Sequence, residues 1–208
     1  MTTRGWVLLS TALALVGTSL LTAGILGTVE RSPGPPVPPY SASAVSARGE
    51  HSRLTLARSA PVHLRVPAIN VSVSVSKLGL NPDGTVEVPA DPYRPGWFRR
   101  GPSPGQRGSA VILGHVDSSR GPAVFFRLGA LRRGDRVSVR LADGAVARFV
   151  VVSVAIYRKS HFPARRVYGP RKYSALQLVT CGGKFDRSTG HYRSNVVAYT
   201  RLIASKPA

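Results

Sequence analysis

Ile69-Asn70-Val71-Ser72-Val73-Ser74-Val75-Ser76 places an apolar side chain at every second position. A period of two gathers those side chains on one face of an extended strand and cannot make the apolar stripe of a helix. The same signature recurs outward along the chain. Asn81-Pro82-Asp83-Gly84 is a turn, and residues 85–88 read as a short strand after it. Ser109-Ala110-Val111-Ile112-Leu113 is a continuous apolar run ending at Gly114-His115, as expected of a buried central strand. Residues 136–141 alternate again, Ala142-Asp143-Gly144 turns them into 146–157, and 175–181 and 195–203 complete the set. Residues 89–108 hold five Pro and four Gly and read as irregular. Short helices are expected only near 123–131 and 163–168. About eight strands separated by turn signals predict an all-β barrel or sandwich.

The 208 residues suffice for one domain with an extension, and 43% hydrophobic content excludes wholesale disorder. The extension is N-terminal. Residues 6–27, WVLLSTALALVGTSLLTAGILG, carry no charge and as a helix would span about 33 Å, enough to cross a bilayer. Arg4 precedes the run, and Glu30 and Arg31 follow it. The expectation is an uncleaved transmembrane signal-anchor with residues 1–5 cytoplasmic and the rest outside, making a single-pass membrane protein. A cleaved signal peptide is the rival, but its apolar stretch should be shorter and end in an A-x-A-like site. Residues 28–60 begin Pro-rich and continue Ser- and Ala-rich, a stalk. The domain proper is then 61–208.

From residue 61 onward 24 Lys and Arg face 7 Asp and Glu. Such a charge suggests nucleic acid, yet the arginines are scattered and no nucleic-acid-binding motif is present, so nucleic acid is not expected as a partner. Anionic lipid or an anionic wall polymer would fit the charge equally well, as would a solvated surface with no ligand. Gly182-Gly183-Lys184 lacks the earlier glycine of a phosphate loop, and H-E-x-x-H and G-x-S-x-G are absent. Asn70-Val71-Ser72 matches a glycosylation sequon, but the strand reading argues against its use.

The single cysteine, Cys181, excludes an internal disulfide and a multi-thiolate metal site. It ends the strand 175–181, just where a side chain can leave the core. His115 ends another apolar strand in the same way. A thiol and an imidazole at two strand ends make a nucleophile–base constellation, and Arg193, just before the last strand, could supply donors to an oxyanion. Thr180 precedes the nucleophile and is a candidate substrate contact. Alternation turns it away from Cys181, so a structural role stands beside that reading. Asp117 could orient His115 or belong to a turn.

Leu178-Val179-Thr180-Cys181, Gly114-His115 after an apolar strand, and Tyr192-Arg193 before the final strand, in that order and spacing, resemble the sortases, membrane-anchored cysteine transpeptidases of Gram-positive bacteria. The stretch from Cys181-Gly182-Gly183 to Gly190-His191-Tyr192-Arg193-Ser194-Asn195 is most similar to class F. Gln177 departs from the family's usual Thr. The resemblance implies an eight-stranded β-barrel and catalysis by Cys181, His115 and Arg193 without a cofactor or metal. It implies cleavage of an LPxTG-like sorting signal of an exported protein between Thr and Gly, and transfer to a peptidoglycan-precursor amine. A thiol and an imidazole with reference pKa values near 8.5 and 6.5 form the reactive ion pair in only about 1% of molecules, which predicts slow turnover and a bell-shaped pH profile. The alternative is a non-catalytic basic β-domain that binds anionic wall polymer or lipid.

Overall fold

Strand-forming alternation is realised through most of the domain. The structure, a computed structural model, describes residues 34–36 and 55–207. The apolar segment 6–27 and nearly all of the stalk lie outside the described residues. No helix among those described is long and apolar enough to cross a membrane. The strands are β1 (Pro61–Val66), β2 (Val71–Ser74), β3 (Ser76–Leu78), β4 (Gly96–Phe98), β5 (Gly108–Leu113), β6 (Asp117–Ser118), β7 (Gly121–Pro122), β8 (Arg136–Leu141), β9 (Val146–Arg158), β10 (Ser174–Asp186) and β11 (His191–Lys206). Strands β6 and β7 make a small separate ribbon. The other nine form one sheet in the order β2-β1-β8-β9-β11-β10-β5-β4-β3.

The two ends of that order are the same piece of chain. Strands β2 and β3 are separated only by Val75, and the backbone changes partner there. The Val75 N–H donates to the Val62 carbonyl at 3.1 Å, and the next N–H, of Ser76, donates to the Pro95 carbonyl at 2.9 Å. Residues 71–78 thus act as one bent strand that pairs with β1 at one end and β4 at the other, closing the sheet into a barrel. Counted in this way the wall has the eight strands expected, and closure leaves no free edge at this seam.

Alternation then sorts the side chains. Leu64, Val66, Ile112, Val137, Val139, Phe149, Leu176, Leu178, Val196 and Ala198 fill the interior and are essentially inaccessible. Burying each large side chain is worth about 1.5–3 kcal/mol. A smaller apolar cluster covers the outer face of β5, β10 and β11. There Val111, Val179, Val197 and Tyr199 meet Val167 of helix α1 (Ala164–Tyr168), with Phe162 and Tyr168 beside them. A buried polar relay fixes α1 to the wall. Gln177 Nε2 donates to Ser109 Oγ at 3.1 Å, and Ser109 Oγ donates to the Val167 carbonyl.

Four local expectations need correction. Residues 85–88 form no strand, only a single bridge between Leu80 and Val86, because Asp83 and Thr85 knit the preceding turn together instead. The stretch read as irregular, 89–108, contains β4, whose short sequence is too brief to show a period. Of the helix expected near 123–131 only a 3-10 turn at Leu128–Ala130 forms. Asn70 lies outside the strand. It caps a 3-10 turn over Pro67–Ile69 in the left-handed conformation, φ 56°, which asparagine tolerates better than most residues.

The seam is tight. A Cβ built on Gly96 would lie 2.4 Å from Leu78 Cγ, and Leu78 is buried. Gly96→Ala should therefore cost about 1–3 kcal/mol. In urea unfolding the midpoint should fall with the slope unchanged; a midpoint equal to that of the parent chain would show that the seam adjusts freely.

Candidate active site

Parallel pairing sets the site. Strands β5 and β10 run side by side from Gly108 and Ser174 to Leu113 and Val179, and the Gly114 N–H adds one further bond to the Val179 carbonyl at 3.0 Å. His115 and Cys181 each stand two residues past the final pair, Cys181 within β10 and His115 in the chain just beyond the end of β5. Both residues are half-buried. Leu113 and Val179 belong to the outer cluster, so the period of two carries Cys181 to the outer face of the barrel.

Gly114 is required by its neighbours. A Cβ there would come within 2.6 Å of the Phe125 ring and 2.8 Å of Val124 Cγ1. The chain after it is held by the Phe125 N–H, which donates to the His115 carbonyl at 2.9 Å. The imidazole itself is oriented by backbone: Nε2 is 2.7 Å from the Pro89 carbonyl oxygen. A carbonyl only accepts, so Nε2 carries a proton and Nδ1 is the nitrogen left open for exchange. Asp117 does not orient His115. Its carboxylate accepts a hydrogen bond from the Tyr192 hydroxyl, tying the chain after His115 to the start of β11. Phe185 stacks edge-on against Tyr192, centroids 5.1 Å apart. Burial first, then the bond to Asp117 and the charges of Asp117 and Cys181, push the Tyr192 phenol well above its usual range. The phenol therefore lies within electrostatic reach of the thiol and remains a neutral donor.

On the other side of β10, Cys181 pairs with Asn195 of β11. Arg193 is two residues from Asn195 and so shares its face with Cys181. Its guanidinium is largely exposed and paired with Asp186, Nε at 3.1 Å and Nη2 at 2.9 Å from the same oxygen, Oδ2. A bulge between Gly182 and Phe185 brings Asp186 to that position. It turns on Gly183 at φ 75°, a conformation that strongly favours glycine. Hydrogen bonds from Ser188, and then from Arg193, hold the Asp186 carboxyl down at about 2.

The structure thus brings Cys181 and His115 to one rim and Arg193 to the face of Cys181, although none of the three hydrogen-bonds another. Thr180 goes elsewhere. It pairs with Val196, lies on the interior side at 4% exposure, and its Oγ1 has no hydrogen-bond partner. Its side chain cannot line the face that carries Cys181, which is the structural alternative. Pro89, Tyr192 in its bond to Asp117, and Asp186 were not found from the sequence as partners of the site. A backbone carbonyl leaves no sequence signal, and the Tyr192–Asp117 contact spans 75 residues.

The family model described as Sortase domain matches residues 64–203. Among solved structures, sortase A of Listeria monocytogenes is 18% identical, with TM-score 0.55 over 72% of this chain and 91% of that one. The SrtA sortase from Actinomyces oris is also 18% identical, with TM-score 0.55 over 74% and 86%. The Clostridium perfringens Sortase D5 transpeptidase is 17% identical, with TM-score 0.51 over 70% and 79%. At such identities the structural likeness shows the fold. No curated protein matches.

The Asp186 carboxyl is depressed in the folded chain, so its contribution to stability is present above its ordinary value of 3.8 and is lost as pH falls toward about 2. An NMR pH titration should place its midpoint near 2. Ser188→Ala and Arg193→Gln should each raise that midpoint, because each removes a side-chain hydrogen bond that holds the carboxyl down. A midpoint at the ordinary aspartate value would contradict the pairing.

Proposed function

The chain belongs to the sortase family of cysteine transpeptidases, and from that premise we propose that Cys181 cleaves an LPxTG-like sorting signal of an exported protein between Thr and Gly. The observation that carries this reading is the equal offset of Cys181 and His115, each two residues past the last pair of the parallel strands β5 and β10. The Cys181 thiolate adds to the Thr carbonyl carbon. The His115 imidazolium gives its proton to the departing glycine nitrogen as the C–N bond breaks, leaving a thioester on Sγ. An amine of a peptidoglycan precursor then attacks the thioester carbon, loses one proton to His115 as the new amide forms, and releases the thiolate, restoring the starting ion pair.

Arg193 supports the oxyanion. A guanidinium has five N–H donors, and two are engaged on Asp186, so three remain while Asp186 holds the group in place. No cofactor enters these steps. Class F specificity belongs to the same reading and is supported by the residues from Cys181 to Asn195 quoted above. Residues 6–27 would anchor the chain in the cell membrane, with residues 28–60 as a stalk and the catalytic domain 61–208 outside. The uncharged run and the preceding Arg4 support this placement.

The test incubates the full-length chain in detergent with an LPxTG-type peptide, with and without an added amine, and reads products by mass spectrometry. Cys181→Ala should abolish both cleavage and amine-linked product. His115→Ala should lower kcat/KM by about 10²–10⁴-fold. Arg193→Gln should lower it by about 10²–10³-fold. The parent enzyme should give a bell-shaped pH profile. Cleavage that survives Cys181→Ala, or alkylation of Cys181 without loss of activity, would refute the scheme.

A further inference from the structure

On the barrel wall formed by β1, β8 and β9, away from β5 and β10, the outward positions carry a cross of four arginines. Ser138 is the centre. Arg65 of β1 pairs with Ser138 on one side, and Arg148 of β9 pairs with it on the other. Arg136 and Arg140 lie two residues before and after it along β8. Strand spacing and rise put neighbouring arginine Cα positions about 8 Å apart. All four side chains are exposed. Among the described residues none of the four guanidinium groups has a hydrogen bond or ion pair.

Acidic neighbours are within reach in sequence but are turned away. Asp135 accepts the Arg132 N–H, and Asp143 accepts the Ala145 N–H, each inside its own turn. The outward positions of β1, β2, β8 and β9 around the cross hold Ser72, Ser74, His63, Val146 and Val150, with no carboxylate among them. Like charges on adjacent strands oppose folding, and at about one Debye length water and salt screen them only in part. A sheet surface with this repulsion and no internal counter-charge is complementary to an external anion.

We propose that this face binds a linear phosphodiester polymer whose repeat unit carries no base. Two features of the face select that occupant. It presents no aromatic side chain, and single-stranded nucleic acid binds on aromatic stacking platforms. It also presents no large exposed apolar side chain to enter a bilayer, since Val88, Tyr93 and Phe185, the large hydrophobics that are exposed, lie on other segments. The barrel wall is convex, so a flat membrane would touch it along a line, whereas a flexible chain can follow the curve. Each guanidinium supplies a fork suited to phosphate oxygens. The inference rests on charge placement and is independent of the chemistry at Cys181.

The test uses the full-length chain and fluorescent poly(glycerol phosphate), titrated from 50 to about 200 mM salt as in the usual range for counter-ion release. Arg65→Gln, Arg136→Gln, Arg140→Gln and Arg148→Gln combined should weaken binding at least about tenfold and reduce the slope of log affinity against log salt by about 3, at about 0.7 per lost contact. A charge-matched variant with Arg94, Arg107, Arg120 and Arg127 changed to Gln should retain affinity within about threefold. The thermal midpoint of the first variant should equal or exceed that of the parent, which separates lost binding from lost fold. Equal weakening by both variants would overturn the proposal in favour of diffuse charge. So would stronger, cross-dependent binding of oligo(dT) or of phosphatidylglycerol vesicles. Activity of the Cys181→Ala variant is irrelevant to this readout, so failure here and failure of the transpeptidase reading remain distinct.

Discussion

Parallel pairing between β5 and β10 is the constraint on which the rest of the molecule depends. Two parallel strands start at one end and finish at the other, so whatever follows them emerges on the same rim. The pairing of Leu113 with Val179 therefore decides that His115 and Cys181 emerge at the same rim, and a shift of one residue would turn one of them to the opposite face. Such strands lie in the middle of the sheet, buried on both sides. Their sequences accordingly read as near-continuous apolar runs rather than as alternation. Parallel strands also need a crossover, and the chain between them builds β8, β9 and α1, which close and cover the barrel.

Closure and site geometry are linked by β4. The bent strand 71–78 joins the sheet to β4, and β4 in turn pairs with β5, the strand that leads to His115. The loop before β4 supplies the Pro89 carbonyl that fixes the imidazole. One face of the wall packs the barrel interior, and the other packs α1 through the Gln177–Ser109–Val167 relay. Gln177, the departure from the usual family pattern, is thus a structural residue on the outer face beneath the helix.

Carboxylates are scarce, and their placement shows what the fold needs them for. Of the seven acidic residues from residue 61 onward, Asp117 and Asp186 stand near the rim that carries Cys181 and His115, one holding Tyr192 and the other Arg193. Each of the other five accepts a backbone N–H: Asp83, Glu87, Asp91, Asp135 and Asp143. None remains to neutralise the arginines of the β1–β8–β9 face, which is why that face is left positively charged.

Local period determined a great deal from the sequence alone. Residues 136–141 are β8 without change, 109–113 and 175–181 are the cores of β5 and β10, and alternation correctly set Thr180 on the side opposite Cys181. These readings succeed because facing and burial along one strand depend only on residues two apart. Short strands such as β4 escaped notice because three residues cannot display a period, and the strand read at 85–88 lost to turn hydrogen bonds. What only the tertiary structure decided is which strands pair and in what register. That choice made Asp117 a partner of Tyr192 rather than of His115, committed part of Arg193 to Asp186, and drew four arginines from three strands around Ser138. Each of these contacts forms between groups far apart along the chain or across a bulge, where no spacing in the sequence encodes the distance in space.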